Sequence, residues 1–454
     1  VREASCRCLA AIARQFPATF EQNHTKLTES LFRLLADSVP DVRESAAQEI
    51  ASLCVAYTDQ MKEGVCERIA TALKEGASME RNSQAPDQTP SEATATHKIE
   101  NFRKLFTDMA ERLVSDGYLS AGYDRINIDD CWATRQRDAA GNLAADPSRF
   151  PDGIAWLAEH MHSKGLQMGI YANYGKKTCM GFPGTELEDM RTDSALFATW
   201  KVDMLKFDGC YNEWTTLGHA YSVMGKSLNA TGRPMVYSCS WPYYLRTRGR
   251  QHPDYALIAR TCNLWRNFDD IQISWKSVLS IIDFYDSNQD ELAEFHGPGM
   301  WNDPDMLIIG NAGFTKHQSR VQMAVWCLWS APLLMSNDLR HMEPGTMEIL
   351  LNRDLIAIDQ DELGIMGKRI LKEGQLAVYR KKLSPHNPVF NPDTLHLGTD
   401  SFAVAFVNRG GNPIEAEFSL IDLGLPYFFG YDMREVFTGD KLGVKKPKDL
   451  MTVH

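Results

Sequence analysis

Carboxylates and aromatic rings recur at the ends of short apolar runs between positions 125 and 305. Asp129, Asp130 and Trp132 close one run, Tyr171 the next, and Lys206 with Asp208 a third. Ser240 and Trp241 follow, then Arg266 and Asp270, then Trp301, Asp303 and Asp305. Breaking a glycosidic bond needs two carboxyl groups in different protonation states. Holding a sugar needs fixed acceptors and cations for its hydroxyls and an aromatic plate for its apolar face. A single aspartate at such a place is an ordinary cap or turn residue. The whole set at successive run ends points instead to a pocket for a neutral, hydroxyl-rich ligand. Asn302-Asp303-Pro304-Asp305 and the stretch from Asp286 to Glu291 are oxygen-rich, yet neither has the central glycine or the spaced glutamate of an EF-hand loop. No metal site and no cofactor are expected.

The elements that must carry these residues alternate. RINID at 125–129, QMGIYAN at 167–173, DMLKF at 203–207, PMVYS at 234–238, NLWRNF at 263–268, MLIIG at 306–310 and APLLMS at 331–336 read as apolar strands. Helical patterns stand between them, among them 99–115 and 154–164. Repeated β-α units with apolar strands predict a parallel sheet covered by helices, a (β/α) barrel over 98–364 whose strand C-termini face one pocket. Beyond Gly364 the text turns to alternating strands without helices (LAVYRKK, SFAVAFVNRG, IEAEFSLI), which predicts an antiparallel β-sandwich domain over 365–454. Ahead of the barrel, Val1-Arg2-Glu3-Ala4-Ser5 recurs as Val42-Arg43-Glu44-Ser45-Ala46 at an offset of 41, so 1–76 resembles HEAT-type helical repeats. The Ser, Thr, Pro, Gln and Ala-rich text of 77–97 has little to bury and is expected to be a flexible linker.

The 454 residues carry 59 acidic and 48 basic side chains, a net charge of −11, which argues against nucleic acid or an anionic membrane as partner. No run is long and apolar enough for a membrane span, and the first residues open into a helical pattern rather than a signal peptide. None of the ten cysteines forms the paired CxxC spacing of a zinc site.

IDDCW (128–132), GIYANYGKKTCMGFPG (169–184), LKFDGC (205–210), YSCSWP (237–242), CNLWRNFDDI (262–271) and GPGMWNDPDML (297–307) resemble, in order, the motifs of glycoside hydrolase family 27. This resemblance implies a TIM-type barrel and an exo-acting retaining glycosidase for terminal α-linked galactose or N-acetylgalactosamine. It implies Asp208 as nucleophile and Asp270 as acid/base, the latter in a setting dry or anionic enough to keep its proton. It places Asp129 and Asp130 on O4 and O6, Lys206 and Arg266 on neighbouring hydroxyls, and Tyr171 and Trp301 along the pocket. Ser240 would leave room for an acetamido group and the bulk of Tyr243 would obstruct it, so mixed specificity is expected. Cys179 with Cys210 and Cys239 with Cys262 match family disulfides, and Asn229-Ala230-Thr231 a family glycosylation sequon. A lysosomal or secretory location and pairing into a homodimer are further implications. The sequence departs from the family in lacking its first barrel strand, which leaves Cys131 without its expected partner, and Cys327 has none either. A seven-stranded, damaged barrel and a C-terminal domain cut short follow. They leave a competing expectation, a catalytically impaired fusion that acts as a HEAT-like interaction scaffold.

Overall fold

The computed structural model describes residues 92–385, 389–391, 396–398 and 400–453. The expected HEAT-like repeats of 1–76 lie outside the described residues. So does most of the expected linker, whose last residues, from Glu92, already belong to the first helix.

Helices α1 (Glu92–Ser115) and α2 (Tyr118–Ala121) lead into β1 (Arg125–Asn127), and α3 (Gly153–Ser163), β2 (Gln167–Asn173), α4 (Met190–Thr199) and β3 (Met204–Asp208) follow. The alternation continues through α5 (Leu217–Ala230), β4 (Val236–Cys239), α6 (Trp241–Tyr244), α7 (Tyr255–Thr261), β5 (Leu264–Arg266), α8 (Trp275–Glu294) and β6 (Trp301–Asp303). Helices α9 (Lys316–Leu328), α10 (Pro344–Leu350) and α11 (Arg353–Asp359) complete it. The six strands pair in parallel in chain order, a curled half-barrel of TIM type. Their inner text is apolar because a parallel sheet is covered on both faces: Met168, Ile170, Leu205, Phe207, Cys239 and Trp265 are all buried. Among the described residues β1 and β6 each have one partner strand and form the sheet's two edges.

The seven expected strands become six. MLIIG and APLLMS contribute only an isolated parallel bridge between Leu307 and Met335, and the sixth strand is Trp301–Asp303. Local chemistry explains the shift. The Asp303 carboxylate accepts the Asp305 backbone N–H at 2.8 Å, and Asp305 takes a left-handed φ of 77°, so the chain turns out of the sheet before the next apolar run. Capping fixes α9 in turn: Thr315 and Gln318 form a reciprocal capping box at its start.

The expected C-terminal antiparallel region is built from small sheets. Strands β7 (Lys368–Glu373), β8 (Leu376–Leu383) and β11 (Ser401–Asn408) form a three-stranded sheet in the order β11-β8-β7. Strands β9 (Val389–Asn391) and β10 (His396–Gly398) pair with each other, as do β12 (Ala416–Ser419) with β15 (Leu450–Val453) and β13 (Tyr431–Arg434) with β14 (Lys441–Lys445). This region is locked to the barrel through buried polar groups. Lys381 Nζ donates to the Cys327 carbonyl at 3.2 Å and to Ser330 Oγ at 2.6 Å, while Arg369 and Tyr379 reach Asp286 at 2.6 and 2.9 Å.

Candidate active site

Strand register sets the side chains at one end of the sheet side by side. Tyr171 pairs with Lys206 and Asn173 with Asp208 across β2 and β3, and Arg266 pairs with Asp303 across β5 and β6. Side chains on one face repeat every second residue, so Lys206 and Asp208 leave β3 on the same side. The Asp208 carboxylate is fixed by three donors. Tyr171 Oη gives 2.9 Å to Oδ2, Tyr244 Oη 2.8 Å to Oδ1, and the Gly209 backbone N–H 2.9 Å to Oδ1. Burial, and then the negative charge of Asp208, push both phenols well above the ordinary tyrosine range, so both act as donors.

Lys206 Nζ lies 2.6 Å from Asp129 Oδ2 and 5.4 Å from the centre of the Tyr171 ring. Burial opposes the charge of Lys206, but Asp129 and Asp208 outweigh it and hold the ammonium above its usual range. Burial likewise opposes ionisation of Asp129, and the charge and hydrogen bond of Lys206 overcome it. Asp130 is turned away from this pair, with its carboxylate accepting the backbone N–H of Met180 at 3.0 Å and of Cys131 at 2.6 Å. Arg266 anchors the next sector. Only 9% exposed, it reaches Asp305 and Asp270 at 2.9 Å each. Asp305 is 5% exposed and also accepts the Ile271 N–H at 2.8 Å, which ties the loop carrying Asp270 to the end of β6. Asp303, buried beside them, is raised to about 6, first by burial and then by the charge of Asp305, against the opposing pull of Arg266.

Two cystines close the region. Cys179–Cys210 joins the loop after β2 to the residue two beyond Asp208, and Cys179 Sγ lies 3.2 Å from Asp208 Oδ2. Gly175, at φ 136°, lets this loop press so close that a Cβ there would sit 2.3 Å from the Cys210 carbonyl oxygen. Cys239–Cys262 links the end of β4 to the start of the β5 segment, while Cys131 and Cys327 are free thiols.

Trp301 and Asp270 stand in settings other than those the sequence suggests. Trp301 opens β6, at the opposite end of the strand from Asp303, with its ring beside Gly364 and edge-on to His296 at 5.2 Å; it does not join the cluster around Asp208. The β6 shift explains this, because the residues at the pocket end are Asp303 and those after it. Asp270 is 84% exposed and bound by a guanidinium, not the dry or anionic setting that a protonated acid calls for. Ser240 is buried, its backbone N–H on the Phe207 carbonyl. Tyr243 stands edge-on to Tyr244 at 5.0 Å, and Asn229 is exposed near the end of α5. Sequence reasoning missed Tyr244, which differs from its neighbour only in phase on a short helix. It undervalued Asp305, whose role depends on a backbone turn.

A half-barrel that gathers carboxylates, two cations and phenols at its strand C-termini defines a carbohydrate-cleaving class of site. Residues 92–361 match the melibiase family model described as alpha galactosidase A, and the chain belongs to that family of glycosidases, glycoside hydrolase family 27. It is 48% identical over 352 residues to alpha-N-acetylgalactosaminidase of Gallus gallus, covering 77% of this chain and 83% of the relative. It is 46% identical over 324 residues to alpha-galactosidase A of Homo sapiens, covering 71% and 72%. Alpha-galactosidase I from Mortierella vinacea superposes with a TM-score of 0.65 at 26% identity, over 77% of this chain and 89% of that one. A HEAT-like repeat model matches residues 1–52.

Proposed function

We propose that this chain is an exo-acting retaining glycosidase for terminal α-linked galactose and N-acetylgalactosamine. The observation that carries the reading is the Asp208 carboxylate at the end of β3, gripped by Tyr171, Tyr244 and the Gly209 N–H, with Lys206 beside it. In the first step Asp208 attacks the anomeric carbon while Asp270 gives its proton to the leaving oxygen. In the second, Asp270 takes a proton from water, the water oxygen attacks the same carbon, and the Asp208 ester breaks. Two tyrosine donors aim the attacking carboxylate. Arg266, held by the buried Asp305, positions Asp270 from the neighbouring loop. Asp270 gains the drier setting it needs when a sugar covers its open face. Asp129, bonded to Lys206, offers fixed acceptors to sugar hydroxyls.

The two names among the relatives, alpha-N-acetylgalactosaminidase and alpha-galactosidase A, support a mixed specificity, and Ser240 with Tyr243 is the pair read as deciding the balance. The two cystines and the exposed Asn229 sequon support a secretory or lysosomal route. The test is parallel assay of nitrophenyl α-galactoside and α-N-acetylgalactosaminide: hydrolysis of both, abolished by Asp208→Asn, is expected. Hydrolysis undiminished in Asp208→Asn would overturn the assignment.

A further inference from the structure

A leaving group departs between the nucleophile and the acid, and one cation stands there without a counterion. The strand order is β3-β4-β5, so whatever follows β4 lies between Asp208, the last residue of β3, and the loop after β5 that carries Asp270. That place is taken by α6 and by one turn of π-helix, Leu245–Gly249, a rare geometry that gathers at functional sites. The turn is firmly held. A Cβ on Gly249 would sit 3.0 Å from the Trp214 ring, and Arg250 closes the turn at a left-handed φ of 47°. From it Arg248 reaches back along the pocket rim. Its guanidinium lies 4.7 Å from the centre of the Tyr244 ring, and Nη1 donates to the Gly209 carbonyl at 3.3 Å. The hydroxyl of the same ring donates to Asp208 at 2.8 Å, so one phenol separates this charge from the attacking carboxylate. The neighbouring basic groups are already partnered, since Arg246 and His252 both reach Glu291, at 3.4 and 2.7 Å. Arg248 is exposed, and among the described residues no carboxylate meets it. A carbonyl and a ring face leave most of its fork of donors open toward solvent.

We propose that Arg248 selects the leaving group, pairing with an anionic substituent, a carboxylate or a sulfate, on the sugar next to the cleaved bond. Acidic glycans are then hydrolysed faster than their neutral counterparts. The proposal rests on the glycosidase reading of Asp208 and Asp270 and names the leaving-group class of that reaction. Carboxylate and sulfate each present two oxygens that match the planar guanidinium fork. The sugar being transferred keeps its own grip, because Asp129 follows β1, on the opposite side of β3 from this turn, and is bonded there to Lys206. An arginine already docked on a ring and a carbonyl gives up little freedom when it meets its anion.

The test uses the full chain and three substrates that share one bond: a neutral α-galactosyl galactoside, its counterpart with the second sugar oxidised to a uronate, and its counterpart sulfated on that sugar's primary hydroxyl. Galactose release is followed, and kcat/KM for each charged substrate is divided by that for the neutral one. Arg248→Gln is expected to lower this ratio about threefold, the strength of an exposed ion pair. Arg248→Lys, which keeps the charge, is expected to retain most of it. In the wild type the ratio is expected to fall toward that of Arg248→Gln as salt is raised, because an exposed pair is screened. A response in one charged substrate alone identifies which anion is read. An unchanged ratio in Arg248→Gln, with all rates lowered alike, makes Arg248 a mere prop for Tyr244 and overturns the proposal, as does a wild-type ratio insensitive to salt. A wild-type chain that releases galactose from none of the three, nor from nitrophenyl α-galactoside, refutes the glycosidase reading itself. Release with an unchanged ratio refutes only the choice of leaving group.

Discussion

Replacing Arg266 by methionine keeps the length of the side chain and removes its charge, and the structure sets the size of the effect. Arg266 is 9% exposed and its partner Asp305 is 5% exposed at 2.9 Å, so the pair sits where water cannot take over the lost interaction. Asp305 keeps its bonds from the Ile271 and Met306 N–H groups but loses its cation, and Asp303 loses the charge that holds it down. Breaking such a buried pair from one side costs about 3–5 kcal/mol. For the compact unit Ala95–His454, at about 2.1 cal/mol/K per residue, that is roughly 1.3 °C per kcal/mol, or about 4–7 °C in Tm. Asp303, already raised above its unfolded value, rises further without Arg266, so the folded state recovers stability as pH falls and Asp303 takes up its proton. The loss is therefore expected to be larger at pH 7.5 than at pH 5. Thermal melts of wild type and Arg266→Met at the two pH values check this. A shift under about 3 °C at pH 7.5, or a larger loss at pH 5, would show that Arg266 does not hold a buried ion pair together.

Other consequences can be measured separately. Asp303 has a folded value of about 6 against about 3.9 unfolded, so its charged form costs up to about 3 kcal/mol, fully above pH 6 and not at all below about 3.9. Asp303→Asn, which keeps the acceptor for the Asp305 N–H, is expected to raise Tm at pH 7.5 and to change it little at pH 4. Cys239 and Cys262 are 23 residues apart, and opening that loop by a double alanine replacement is expected to cost about 3 kcal/mol in a urea titration. Tyr243→Ala is expected to raise kcat/KM for the N-acetylgalactosaminide relative to the galactoside by about tenfold or more, because it removes the ring read as obstructing the acetamido group. An unchanged ratio would take Tyr243 out of the specificity argument.

Much of the site could be read before the fold was known, because strand periodicity carries it. QMGIYAN is β2 residue for residue, and the two-residue spacing of Lys206 and Asp208 puts both on one side of β3. Where the backbone leaves regular structure the sequence is silent. MLIIG has the apolar text of a strand, yet the left-handed turn at Asp305 moves the sixth strand ahead of it and leaves Trp301 at the wrong end to line the pocket. Tyr244 and Tyr243 are adjacent and identical, and only the pitch of α6 decides that the first reaches Asp208. The open setting of Asp270 was hidden for a related reason. Residue type announces a carboxylic acid, while its exposure depends on what packs over a loop.

Double displacement requires a covalent bond from Asp208 to the sugar, and that bond can be trapped. An activated 2-deoxy-2-fluoro-galactosyl fluoride, which slows breakdown of the intermediate, is incubated with the enzyme and the chain is digested and weighed by mass spectrometry. One fluorosugar per chain is expected on the peptide that contains Asp208. A stoichiometric label on any other residue would contradict it.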